Sequence, residues 1–454
     1  MLRIYLDTNL LTKIKDYPSF EDKLNSYTDY LNIVYSSAHI DDLKRSTNYE
    51  KTQEDLKTIK KLSENQCLAK YWGQESICYD TRDPFEFYES FQNSPYDLTR
   101  PWDFLQNEFD KLGIENPLKN LRFSLPTQEV PLDIQNPFNR FTKDNTFESL
   151  FEDVTDILRH SLNSNEYSKK VRESFDKKLP RNVLANVKEN VIDYLNDELP
   201  KTDFNKSHDD YVIQSLKLGN KDKCYSDFDW FVARYYCLDL VGYKSDNKST
   251  TANIITDAFH SFYAAHCDVF ITEDKRLRQK SKVLYEEFDI ETLIFSQDDF
   301  CEHIDKLISK FEKIQDLTNI YKDIRDLPVA KYYSIVDTKT LVAEYFLQKF
   351  FIGYYDYIIC VYPNDNSSIS NFIKKNKTFS KWYYFKELKS LITPLVDLFG
   401  PDIHGNRFFL TTTHETGETG LWIGRKWFFD NFVVTLTQEI DVGILLRFET
   451  YINT

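Results

Sequence analysis

Four short stretches constrain this chain of 454 residues more than anything else in it. They are Ile4-Tyr5-Leu6-Asp7-Thr8-Asn9, Ser36-Ser37-Ala38-His39-Ile40-Asp41-Asp42-Leu43, Thr256-Asp257-Ala258-Phe259-His260 and Asp268-Val269-Phe270-Ile271-Thr272-Glu273-Asp274. Each places a carboxylate at the end of an apolar strand-like run or on a helix beside one. Strands alternating with helices predict a parallel α/β sheet, and ligand sites in open parallel sheets form at the carboxyl ends of the strands. Several carboxylates gathered there repel one another unless a hard cation holds them, and oxygen donors suit Mg²⁺ or Mn²⁺.

Taken together, these stretches resemble the motifs of PIN-domain nucleases. Leu6-Asp7-Thr8-Asn9 is similar to that family's opening strand and acidic turn, and Ser37 through Asp42-Leu43 to its serine, spacer and acidic-leucine pair. Asp257-Ala258-Phe259-His260 with Ala264 and Ala265 is similar to its helix aspartate, and Phe270-Ile271-Thr272-Glu273-Asp274 to its closing strand. The resemblance implies a three-layer core with a central parallel sheet and a metal-dependent endoribonuclease. Its catalytic and metal-binding cluster would be Asp7, Asp42, Asp257 and Asp274, with Mg²⁺ or Mn²⁺. Thr8, Asn9, Thr272 and His260 would support it, and Lys275, Arg276 and Arg278, directly after the last motif carboxylate, would meet the substrate. The mechanism implied is hydrolysis with no covalent intermediate, leaving a 5′ phosphate, in a toxin-like or defence-like setting.

Two departures from the family pattern stand out. The second acidic residue is commonly Glu, whereas here an Asp41-Asp42 pair occupies the place. Asp42 precedes Leu43, as the family's acidic residue does, and is taken as the ligand, with Asp41 as the alternative. In addition, 215 residues separate Asp42 from Asp257, far more than a compact core needs. The expected organisation is therefore a split nuclease core at residues 1–71 and 216–315, a mostly helical insertion at 72–215, and a C-terminal α+β domain at 325–454 of unassigned role.

Segment by segment, 2–6, 32–36, 269–272 and 292–296 read as core strands, and 39–71 as helices on period. Seven prolines between 84 and 137 predict irregular structure there, and 302–314 reads as a helix leading out of the core. In the tail, 332–348 reads as a helix and 353–361, 407–412, 421–424, 432–436 and 444–448 as strands. Trp422, Trp427, Phe428 and Phe429 read either as exposed rings that select a substrate or a protein partner or as the core of that domain.

Composition narrows the alternatives. Eleven glycines are few, and no GxxxxGK[ST] or GxGxxG phosphate loop is present. The net charge of −15 is unusual for a nucleic-acid enzyme, but a local basic groove can exist on an acidic protein. Seven cysteines without a CxxC pair predict reduced thiols. No apolar run approaches the ~18 residues of a membrane helix, so a cytoplasmic protein without membrane contact is expected. The histidines lack zinc-ligand spacing. Taken alone, Asp7-Thr8-Asn9 would read as an ordinary helix cap; its three companion stretches favour a site. The competing readings are a DNA-directed nuclease, since the choice of polymer rests on 2′-OH contacts outside the motifs, and a non-catalytic scaffold that binds RNA or protein.

Overall fold

The computed structural model describes residues 1–70, 77–92, 187, 189–202, 205–219, 225–245, 250–363, 367–375, 385–409, 422–429, 432–440 and 442–450. By their contacts they form two compact units, Met1–Pro84 with His260–Thr454, and Phe85–Phe259. The molecule combines helices with mixed parallel and antiparallel sheets, an α/β composition.

The first unit opens on strand β1 (Leu2–Leu6), all five residues of which are buried. An unbroken run of this kind suits a strand covered on both faces, as central parallel strands are. β2 (Leu31–Ser36) pairs with it on one side and β5 (Val269–Ile271) on the other, both parallel. β3 (Gln66–Ala69) and the antiparallel β4 (Cys78–Thr81) extend the β2 side, and the parallel β6 (Leu293–Phe295) extends the β5 side. The order is β4-β3-β2-β1-β5-β6. The chain leaves β1 toward one edge and later resumes on the other side at β5. Such a reversal leaves a crevice outside the carboxyl ends of β1 and β5.

A second sheet in the same unit holds β7 (Ile308–Ser309), β8 (Lys331–Ile335), β9 (Thr340–Phe351), β10 (Tyr355–Tyr362), β11 (Ser368–Ile373), β12 (Arg425–Phe429), β13 (Phe432–Glu439) and β14 (Gly443–Thr450). Its order is β12-β13-β14-β11-β10-β9-β7, with β8 on β9. Side chains alternate between faces along a strand. One face, with Ile358, Phe372, Phe448 and Trp427, packs against Leu317, Ile320 and Ile324 of helix Ile314–Arg325 and Leu388, Leu391 and Leu395 of helix Phe385–Phe399.

The two sheets are joined by buried charge. Arg3, in the middle of β1, makes a bidentate pair with Glu387 at 2.6 and 2.7 Å, and Asn32 adds 3.2 Å to the same carboxylate. Lys374 reaches Asp268 at 2.6 Å, and the Asp268 carboxylate also accepts the Arg3 backbone N–H at 2.7 Å. Both side chains of each ion pair are at most 3 % exposed. Paired in this way, charges that would be costly to bury alone are tolerated. The sequence segments read as core and C-terminal region thus share one compact unit.

The described part of the second unit is helical, with Val191–Glu198, His208–Gly219 and Asp227–Leu240. Asn196 and Asp209 exchange hydrogen bonds of 3.0 Å each between the first two helices. Residues 93–186, most of the expected insertion, lie outside the described residues. No helix among the described residues is long and apolar enough to cross a membrane.

Several sequence expectations are corrected. The segment 332–348 is not a helix but most of the β8–β9 hairpin. Its turn places Lys339 at φ 52°, a conformation that Gly or Asn usually announces; Asp337 was the only turn residue there, so the usual hairpin signal was missing. Within 39–71 the helices are Ser37–Lys44 and Tyr49–Ser63, and the stretch ends in strand β3. The helix expected at 302–314 runs instead over Gln297–Leu307, where Ser296 and Asp299 form its capping box, and β7 follows it. Residues 407–409 are not strand, and 410–421 lie outside the described residues. Trp422 and Trp427 are 3 % and 1 % exposed, and Phe429 packs on Phe399 and Phe432. These rings fill the sheet's own core, and only Phe428 of that group is exposed.

Candidate active site

Asp7 follows the last residue of β1 and caps helix Thr8–Thr12, its Oδ1 accepting the Leu10 N–H at 2.8 Å. Its backbone N–H donates to the Ile271 carbonyl at 3.1 Å, which fastens it to the end of β5. Its Oδ2 accepts the Thr272 hydroxyl. The side chain therefore lies at the β1–β5 reversal, 5 % exposed. Burial pushes its carboxyl above the ordinary value and the nearby Asp274 charge adds to this, while the Thr272 and Leu10 bonds pull the other way.

Asp42 arrives from the other side. Ser36 ends β2 and caps helix Ser37–Lys44. His39 accepts the Ser36 N–H on Nδ1 at 3.0 Å, and its Nε2 donates to the Leu6 carbonyl at 2.8 Å. That bond fixes the helix to the end of β1. Burial, then the neighbouring His260, lowers the His39 pKa to about 3, so the ring is neutral, in the tautomer these bonds require. One turn later, Asp42 Oδ2 accepts the Thr8 hydroxyl at 2.7 Å and His260 Nε2 at 2.9 Å. His260 Nδ1 lies 2.8 Å from the Tyr5 hydroxyl, which lies 2.7 Å from Ser36 Oγ. Ser36, Tyr5, His260, Asp42 and Thr8 thus form one continuous hydrogen-bonded chain. Burial works to raise the Asp42 pKa, but the His260 and Thr8 bonds outweigh it and hold the carboxylate below its ordinary value. Asp41 takes no part in the chain; burial raises its pKa to about 6 against the pull of Lys44 and Arg45.

Asp274 is exposed and caps helix Lys275–Glu287, its Oδ1 accepting Arg276 N at 2.7 Å and Leu277 N at 3.0 Å. Thr272 Oγ1 accepts the Asp274 N–H at 3.1 Å, so Thr272 links the two acidic turns. Lys275 and Arg276 are exposed beside Asp274, and Arg278 is half-buried near Asp299. Asn9 is exposed in the first turn after Asp7. Asp257 is half-buried on helix Thr251–Ala264, three residues before His260, and is counted with the second unit.

Of the residues singled out in the sequence, the first unit brings Asp7, Thr8, Asp42, His260, Thr272 and Asp274 into one neighbourhood. Tyr5, Ser36 and His39 were missed as members of it. The Ser-x-x-His spacing after a strand was the available signal, since the third helical position commonly bonds back to the cap.

Among the described residues, no group of three or more His, Cys, Asp or Glu side chains converges into a ready-made metal cage. The donor chemistry nevertheless fits a hard cation. All the acidic groups here are carboxylates, the buried Asp7 carboxylate is disfavoured by burial and by Asp274, and Mg²⁺ characteristically keeps several waters and takes only one or two carboxylates directly. Compared with family models, with curated proteins and with solved structures, the chain matches none.

Proposed function

We propose that the carboxylates at the ends of β1, β2 and β5 form the centre of a PIN-like, metal-dependent nuclease acting on RNA. The observation that carries this reading is the placement of Asp7. It is a buried carboxylate at the sheet reversal, coupled through Thr272 to the Asp274 turn and flanked by the Thr8–Asp42–His260 cluster. Asp7, Asp42 and Asp274 would hold the cation, with Asp257 as the further carboxylate read from sequence. When bound, Mg²⁺ or Mn²⁺ supplies an activated water and stabilises charge on the scissile phosphate.

The chain's own groups do the rest. Thr8 and His260 orient Asp42 and keep it ionised. Thr272 orients Asp7, whose charged form burial disfavours, so a cation there would offset that cost. Lys275 and Arg276, exposed at the first turn beside Asp274, are placed to attract a phosphate backbone, a role suited to exposed basic side chains.

A second reading has specific support as well. Asp7 and Asp274 each cap a helix, a structural duty that a non-catalytic scaffold would retain. One experiment separates the two. The purified protein is incubated with labelled RNA and DNA pools in Mg²⁺, Mn²⁺ or EDTA. Metal-dependent cleavage supports the nuclease and identifies its polymer, whereas intact pools in every condition favour the scaffold.

A further inference from the structure

We propose that the open face of the eight-stranded sheet is a docking surface for single-stranded RNA. Among the described residues, the helices Ile314–Arg325 and Phe385–Phe399 pack on one face of that sheet. By strand register, the other face carries Tyr333 on β8, Phe346 on β9 and Phe428 on β12, which are 39 %, 44 % and 67 % exposed. A lysine ammonium stands over each of these rings. Lys331 is 5.1 Å from the Tyr333 centroid, Lys375 is 3.9 Å from Phe346 and 4.2 Å from the buried Tyr357, and Lys426 is 5.4 Å from Phe428.

The chain carries a net charge of −15, so a cation at every exposed ring of one face runs against its composition. The carboxylates of that face are locally engaged. Glu344 accepts the Tyr357 hydroxyl at 2.6 Å, and Glu439 and Glu449 lie 3.9 and 3.7 Å from Arg447.

Paired ring and cation match the two halves of a nucleotide. An unpaired base stacks on a ring face and the adjacent phosphate takes the ammonium. An exposed cation–π contact is weaker than base–aromatic stacking, so an arriving base displaces the lysine toward the backbone without net loss. Five strand spacings separate β9 from β12, about 24 Å, a span a single strand crosses in one pass over the face. A protein partner would favour a continuous apolar patch, whereas between these rings Asn371, Thr435 and Arg447 interrupt Ile359, Ile369 and Ile373.

The inference deepens the nuclease reading and rests on it only for the fate of the bound strand. Its test needs no cleavage. Fluorescein-labelled oligo(U) and oligo(dT) are titrated with the full chain in EDTA and followed by anisotropy. Binding that weakens as salt rises is expected for the unaltered protein. Phe346→Ala with Phe428→Ala should weaken it roughly 10- to 100-fold with the fold retained by circular dichroism, since Phe428 is exposed and Phe346 meets the buried Tyr357 only edge-on. Lys375→Gln with Lys426→Gln should flatten the slope of log affinity against log salt by about 0.7 per lysine. Equal binding of oligo(dT) supports the surface and removes its preference for RNA. Failure of the unaltered chain to bind either oligonucleotide overturns the inference, and so does wild-type affinity in the double-ring variant. A chain that binds but never cleaves in Mn²⁺ sinks the nuclease reading and leaves this surface standing.

Discussion

Asp7 and Asp42 show opposite electrostatics within one neighbourhood. Asp7 is buried with short polar partners and its carboxyl is raised; Asp42 is clasped by a histidine and a hydroxyl and is lowered. Asp7→Asn keeps an oxygen for the Leu10 N–H and removes a charge that burial disfavours. It should therefore cost less than about 1 kcal/mol of stability while reducing Mn²⁺-dependent RNA cleavage by about 100-fold or more. Melting curves and a cleavage assay on the same preparation check both halves. Asp42→Asn and Asp41→Asn make a sharper pair. They are adjacent on a helix and point about 100° apart, and only Asp42 meets Thr8 and His260. Cleavage should fall at least tenfold in Asp42→Asn and stay within about twofold in Asp41→Asn; the reverse order would move the site to Asp41.

At the level of elements, the contrast between β1 and β9 is instructive. β1 was legible because a short apolar run ended on a polar turn. β9 was not, because Leu341–Ala343, Tyr345–Leu347 and Phe350-Phe351, separated by Glu344 and by Gln348-Lys349, recur at a spacing that also fits a helix. Strand pairing to β8 and β10 decided it. Backbone conformation supplies a test in the same sheet. Gly424 has φ +92°, and a Cβ there would lie 2.6 Å from the Leu436 carbonyl. Gly405 has φ +80° with nothing within 4 Å. Gly424→Ala should therefore destabilise by about 2 kcal/mol or more, adding a clash to the conformational strain, and Gly405→Ala by only about 1 kcal/mol. Chemical denaturation of the two variants checks the order, and equal losses would contradict the geometry of the β12–β13 edge.

The whole first unit depends on charges that meet across hundreds of residues. Glu387→Gln leaves Arg3 buried without its counter-charge and should cost about 3–5 kcal/mol, read by denaturation. The ion pair with Arg3, working against burial, holds the Glu387 carboxyl at about 2, below the ordinary 4.5. Its stabilisation is complete above pH 4.5 and is lost as pH falls toward 2. His266 is held at about 3, below 6.5, by burial and then by Arg3. The unfolded chain takes up that proton first, so stability already declines as pH falls through 6.5. Acid titration by circular dichroism should show loss beginning near pH 6 and steepening below 4.5; a flat profile down to pH 3 would contradict both assignments. Truncation near residue 325 removes Glu387 and Lys374, the partners of Arg3 and Asp268. The shortened chain should be unfolded or protease-sensitive, not an independent nuclease, as limited proteolysis would reveal.

The sequence by itself determined the strands that begin and flank the first sheet, the turns that end them and the acidic residues at those turns. All of these follow from local pattern: an apolar run, a cap, a hydroxyl two residues before a carboxylate. Only the tertiary structure decided that Asp42 and not Asp41 joins Thr8 and His260, that Tyr5, Ser36 and His39 complete the chain, that 332–348 pairs as strands, and that Trp422 and Trp427 are core. It also decided that Arg3, in the central strand, is neutralised by Glu387, 384 positions away. Each of these outcomes depends on which partner arrives from a distant segment. A charge or an aromatic ring has the same local propensity whether it is buried with a partner or left in water, and burial energy is assigned only when the segments meet.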